Sequence, residues 1–373
     1  MKNLIETLKN IWKIEELRNR ILTTLGFLLI YRLGSFVALP GIDPQQLDAL
    51  QNQTSDGLLG LLNMFTGGAF SQASIMALGI MPYISASIVI QLMTMAVPYL
   101  QKLQKDGESG RTKISQITRY LTVLITCFQA PGYIANLKAT LPAEAFLLSS
   151  GSFWFSSIVI LVTGTMFAMW LGEKITDRGI GNGISLLIMV GIIASLPQAF
   201  LFEVGRANPL IILVELLILL VVILASVLLV QGVRRIPIQY AKRGASAQIA
   251  AARQYLPLKV NASGVMPIIF AQAIMFIPIT FAGLSESESV QNFVAIFSDF
   301  SGFWYNFVFA LLIILFTYFY TAITVNTNQM ADDLKRNGGF VPGVKPGKDT
   351  AGFLDGVMSR IVLPGSVFLA FIA

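Results

Sequence analysis

Histidine is absent from this chain of 373 residues, and cysteine occurs once, at Cys127 within an apolar run. These two shortages exclude an internal disulfide framework, a Cys/His metal site and an imidazole general base. Charge is scarce as well: Asp, Glu, Lys and Arg make up 12% of the residues, against about a quarter in a soluble protein, while 55% are hydrophobic. Such a chain has too little polar surface for water and reads as an all-α polytopic membrane protein. Also missing is the equipment of intramembrane chemistry: no paired aspartates, no serine beside a histidine or lysine and no zinc motif lies in an apolar segment. Catalysis, metals and cofactors are therefore not expected. The first twenty residues lack the basic start, short apolar core and cleavage site of a signal peptide, so the first span is expected to direct insertion itself.

What the chain has instead is a series of apolar segments. Residues 1–20 set Leu4, Leu8, Ile11 and Trp12 at helical spacing among Lys2, Lys9, Lys13 and Arg18, the pattern of a basic amphipathic helix on a membrane surface, with a solvated leader as the alternative. Spans are expected at 21–39, 76–97, 117–137, 153–171, 184–202, 209–233, 264–284 and 303–325, with a ninth starting near Phe353 and cut off at Ala373. Arg32, the only charge in the first span, should snorkel or pair within the bundle. Between spans the charge alternates: the segments on the N-terminal side hold 22 Lys and Arg, and those on the other side only Lys138 and Arg206. The positive-inside rule places the basic side, N-terminus included, in the cytoplasm.

Residues 57–101 carry no charge, with acids before them (Asp43, Asp48, Asp56) and bases after them (Lys102, Lys105, Arg111). The flanks lie on opposite sides, so this stretch crosses an odd number of times, and 76–97 supplies one crossing. That leaves 57–71 on the outer side with no aqueous place to go. Leu58, Leu59, Leu61, Leu62, Asn63, Met64 and Phe65 are expected to form a short apolar helix ending at Gly67 and Gly68 that dips back into the protein as a re-entrant plug. A helix lying on the outer leaflet is the alternative.

The Gly79-Ile80-Met81-Pro82 string returns 185 residues later as Gly264-Val265-Met266-Pro267. A proline inside a span frees a carbonyl that protein or a wet cavity must satisfy, so Pro82 and Pro267 are expected to break two spans at corresponding places of an internal repeat, whose interface would hold a transport pathway. Two unrelated kinked helices are the alternative. Ile84 and Ile269 each follow their proline by two residues, and Ile80 lies one turn before Ile84. A ring of such aliphatic side chains seals a pore by dewetting while holding no charge that would bind what passes, though each isoleucine alone could equally be packing. A secondary transporter of small solutes, the rival reading, would keep mid-span charges that this chain lacks. The Gly179–Gly183 run has neither the Lys-Ser/Thr ending nor the strand of a phosphate loop, and Asn182 reads as a helix N-cap. Two long basic loops, 234–262 and 326–352, are longer than turns require and read as a docking face for an acidic, ribosomal or motor partner.

Four strings resemble one family: Gly79-Ile-Met-Pro-Tyr-Ile-Ser-Ala-Ser-Ile-Val-Ile-Gln91, Met169-Trp-Leu-Gly-Glu-Lys-Ile-Thr-Asp-Arg-Gly-Ile-Gly-Asn-Gly-Ile-Ser185, Leu256-Pro-Leu-Lys-Val-Asn261 and Gly339-Phe-Val-Pro-Gly343 are similar to signatures of the bacterial SecY family of protein-conducting channel subunits. The resemblance implies ten spans in two inverted five-span halves, here 21–202 with the plug 57–71 and 203–373 cut short in the ninth span, opening sideways to lipid. It implies a pore ring of Ile80, Ile84, Ile184, Ile188 and Ile269, and passage of unfolded secretory polypeptides with their signal sequences. It implies docking of the ribosome and the SecA motor on Arg234, Arg235, Lys242, Arg243, Lys335, Arg336 and Lys345, assembly with the small subunits SecE and SecG, residence in the bacterial cytoplasmic membrane in contact with lipid, and no DNA binding. Lys345 is a departure, because the family often has arginine there and an ammonium cannot make a bidentate contact.

Overall fold

The computed structural model describes residues 6, 12–47, 50, 60, 63–206, 208–240, 254–282 and 302–373. It divides into two compact units, Met1–Arg206 and Ala207–Ala373. Within the first lie α1 (Glu15–Gly34), α2 (Met81–Ala96), α3 (Pro98–Lys105), α4 (Gly107–Thr140), α5 (Ser150–Arg178) and α6 (Gly183–Arg206). The second holds α7 (Pro209–Gln231), β1 (Val233–Tyr240), β2 (Gln254–Lys259), α8 (Met266–Ala282), α9 (Phe303–Thr324), α10 (Thr327–Arg336), β3 (Gly339–Phe340) and α11 (Lys348–Ile372). The chain is all-α and polytopic in plan, with one small sheet. Among the described residues α5, α6, α7, α9 and α11 are each long and apolar enough to cross a membrane, and α2 with α3 would make a sixth across a 102° bend. The bend falls at Val97, held extended (φ −103°, ψ 114°) by the following Pro98.

Helix ends depart from the expected spans in an informative way. The segment 76–80 is not helical: it forms turns, with Ala73 and Gly79 at positive φ, and α2 starts only at Met81. Pro82 therefore stands in the first turn of α2, and Pro267 is the second residue of α8. This corrects the reading of both prolines as interior span breaks. A first-turn proline frees no carbonyl, since its N–H would have no helical partner anyway, and its fixed φ suits the start of a helix. At its other end α5 runs on past the expected limit at 171 and takes in Glu173, Lys174 and Asp177. Glu173 there receives a two-pronged bond from Arg119 of α4, at 2.7 and 3.2 Å. The α5–α6 corner is capped as expected: Asn182 Oδ1 accepts from the amides of Ile184 and Ser185 at 3.1 and 3.2 Å.

In the first unit the core joins the exit of α1 (Leu39, Ile42, Leu47, Leu50) to Phe70, Ala73 and Ala77 and to α4 and α5 residues such as Tyr133, Ile134, Leu137, Phe153 and Leu161. A short antiparallel pairing ties the pieces, with Leu39 N–H bonded to Ala73 O at 2.8 Å and Ile75 N–H to Val37 O at 2.9 Å. In the second unit the loops fold: β1 pairs antiparallel with β2 and, at Gln239 and Tyr240, with β3. Ile236, Leu258 and Val341 of this layer pack on Leu354, Met358 and Val362 of α11.

Candidate functional site

Gly60 and the turn Asn63–Phe65 are helical, and that turn ends as a glycine dictates. Gly67 takes φ +68°, its N–H bonds Met64 O at 3.1 Å, and Gly68 N–H reaches back to Asn63 O at 2.8 Å. This pair of bonds with a left-handed glycine is a Schellman motif, and it stops the helix at Gly67 and Gly68 where the sequence places its end. The following loop satisfies itself locally. Asn63 Oδ1 accepts from Ser71 N–H at 3.0 Å, Thr66 Oγ1 accepts from Phe70 N–H at 3.3 Å, and Ser71 Oγ donates to Gly68 O at 3.1 Å. Leu58, Leu59, Leu61 and Leu62 lie outside the described residues.

Three helices of the first unit seat this segment, and a fourth packs under the chain that follows it. The Arg32 guanidinium of α1 donates to Gly67 O and lies 4.7 Å from the Phe36 ring centroid. Tyr133 of α4 donates its hydroxyl to Phe70 O at 2.9 Å and meets the Phe70 ring edge-on at 4.8 Å. Gly191 of α6 packs backbone against backbone: a Cβ there would stand 2.7 Å from Phe65 O. Gly164 of α5 does the same beneath Ile75, whose carbonyl oxygen a Cβ would overlap. Of these groups only Arg32 drew notice in the sequence, and without its partner. Tyr133, Gly164 and Gly191 carry no local signal, because their role depends on a segment 60 to 130 residues away.

The expected ring residues fall at helix starts. Ile80 and Ile84 are buried at the beginning of α2, linked by the bond from Ile84 N–H to Ile80 O at 3.1 Å. Ile184 and Ile188 stand half-buried one turn apart at the start of α6, with Ile184 against Gly172 of α5. Ile269, half-buried, occupies the same place in α8, its N–H reaching Val265 O at 3.4 Å.

The second unit presents cations on an ordered surface. Ile236 and Ile238 turn inward from β1, while Arg234 and Arg235 are exposed. Lys335 and Arg336 are exposed in the last turn of α10, where they complement the helix dipole, and Asn326 caps the first turn by accepting from Gln329 N–H at 3.1 Å. Lys345 is exposed too, in a turn whose carbonyl is held by Thr350 Oγ1 at 2.8 Å. Lys242 and Arg243 lie outside the described residues. No group of three or more Cys, Asp or Glu able to hold a metal occurs among the described residues.

The family model for SecY matches residues 74–373. The protein translocase subunit SecY of Escherichia coli K12 is 45% identical over 367 residues, covering 96% of this chain and 83% of its own length. The chain belongs to the SecY family. Two solved structures share the fold of this SecY-family chain at 95% coverage: one described by the plug domain of SecY stabilising the closed translocation channel (TM-score 0.58, 16% identity), and the idle yeast Ssh1 complex bound to the 80S ribosome (TM-score 0.62, 15% identity).

Proposed function

We propose that this chain is the channel-forming subunit of a protein translocase, passing unfolded secretory polypeptides across the bacterial cytoplasmic membrane and releasing membrane segments sideways into lipid. Kinship with the E. coli translocase subunit over nearly the whole chain carries the reading. It is a conduit and not an enzyme, with the driving chemistry supplied by partners. The two halves 21–202 and 203–373 would form an inverted repeat, and Ile80, Ile84, Ile184, Ile188 and Ile269 would serve it as a dewetting ring. Residues 57–71 plug the pore from the outside. A solved structure of this fold, in which the plug domain of the SecY protein maintains a membrane seal, supports that assignment.

The charge bias of 22 cations against 2 supports a cytoplasmic N-terminus. Arg234, Arg235, Lys242, Arg243, Lys335, Arg336 and Lys345 then face the cytoplasm, where SecA and the ribosome would dock. The ribosome-bound yeast structure favours a ribosomal partner. SecE and SecG are the small subunits expected beside it, and lipid surrounds the assembly. The apolar span interiors argue against small-solute transport coupled to ions.

Photocrosslinking tests the proposal. A probe at Ile84 should crosslink to a stalled secretory chain in a signal-dependent manner, while a probe at Leu217, exposed on α7, should not. Translocation without any crosslink at Ile84 would overturn the pore assignment.

A further inference from the structure

The hydrogen bonds of residues 63–71 are mostly their own. Asn63, Thr66 and Ser71 close the turn from within, and the Schellman bonds close its helical end, so the segment holds its shape without the rest of the unit. Two tethers reach it from outside, and they grip different parts. Tyr133 holds Phe70, which is buried in the core together with Ala73 and Ala77. Arg32 holds Gly67, at the point where burial gives way to the exposed Met64 and half-buried Asn63. The tyrosine holds the buried end of the segment, and the arginine holds its helix stop.

Arg32 is suited to that task by what it lacks. The ion pairs among the described residues are Arg20 with Glu16 and Arg119 with Glu173, so Arg32 has no carboxylate there and turns to a backbone carbonyl and the face of Phe36. The Gly67 carbonyl belongs to a left-handed residue that ends a helix, so the acceptor points outward by backbone geometry. A charged donor in an apolar span that loses its acceptor remains partly buried and uncompensated, which biases the equilibrium towards keeping the bond. Gly191 lets α6 approach Gly67 to backbone distance beside the guanidinium, so one glycine meets both the donor and a close-packed helix.

We propose that Arg32 is a positioning residue for the channel's gate: its bond to Gly67 O holds the 63–71 segment in the closed seat, and opening exchanges that carbonyl for another acceptor. This rests on the reading of 57–71 as a plug, and deepens it by naming the contact that sets how readily the plug leaves. Losing one charge-assisted bond shifts such an equilibrium by roughly tenfold or more.

The test measures ion conductance of the assembled translocase in planar bilayers, at rest and with a stalled secretory chain inserted. Arg32→Met should raise the resting conductance roughly tenfold while leaving the occupied conductance unchanged; Arg32→Lys, which keeps one donor, should recover most of the seal; Tyr133→Phe should change it little. A general packing defect would move both conductances and would not be rescued by lysine. Wild-type resting conductance in Arg32→Met overturns the proposal. If that variant does not assemble, Arg32→Gln, which removes the charge but keeps a polar side chain, decides: raised resting conductance supports the charged hold on Gly67 and an unchanged value overturns it. Deleting residues 57–65 separates the two ideas. A resting conductance unaltered by the deletion removes the plug reading, whereas a deletion that leaks beside a tight Arg32→Met removes the latch alone.

Discussion

At Gly79 the backbone takes φ +52° and at Gly264 +65°, and in both places a helix starts two residues later at a methionine followed by proline. The next-turn bonds match as well, Ile84 N–H to Ile80 O and Ile269 N–H to Val265 O. Their surroundings do not match. A Cβ on Gly79 would stand 3.2 Å from Thr66 Cγ2, while Gly264 has nothing within 4 Å; Ile80 is 5% exposed, Val265 62%. The local string writes the same helix start twice, because a left-handed glycine and a pre-set proline φ act through the backbone alone. What the start packs against is set elsewhere, and in the first unit it is Thr66, in the turn that follows the helix stop at Gly67 and Gly68.

This comparison can be broken by matched substitutions in the two starts, read as thermal unfolding of the detergent-purified protein. The largest difference is expected for Ile80→Ala against Val265→Ala: about 2–4 kcal/mol lost at the buried position and under about 1 kcal/mol at the exposed one. Equal losses would mean that the two starts share an environment after all. Next come the glycines. Gly264→Ala should lose about 1–2 kcal/mol through its left-handed backbone, and Gly79→Ala more, since its methyl also presses on Thr66. Smallest are Pro82→Ala and Pro267→Ala, each within about 1 kcal/mol, because a first-turn proline breaks no helical bond. A gain of several kcal/mol on replacing either would restore the interior-kink reading.

Much of the helical plan was legible in the residues. Apolar runs located α5 and α11 and gave α6, α7 and α9 close to their ends, Asn182 read as a cap and is one, and Gly67 and Gly68 read as a helix stop and are one. Errors gathered where local and distant influences compete. Residues 76–80 are apolar enough to join α2, yet turns at Gly79 and the pairing of Leu39 with Ala73 hold them out of it. The basic loops offered no alternation strong enough to announce a sheet, and β3, only two residues long, exists because Tyr240 finds Gly339 nearly a hundred residues on. Of the groups around residues 63–75, Arg32 read as a span charge that snorkels or pairs, and Tyr133, Gly164 and Gly191 carried no signal.

By itself, then, the amino-acid order determined the membrane character, the places of several apolar helices, and some of the devices that start and stop them. Each of these depends on hydropathy and on backbone preferences felt within a turn or two. The tertiary structure alone decided which carbonyl Arg32 meets, which glycines allow backbones to touch, and which face of each repeated helix start is buried. Those outcomes depend on segments far apart in the chain coming within bonding distance, and no local pattern records where a distant neighbour will lie.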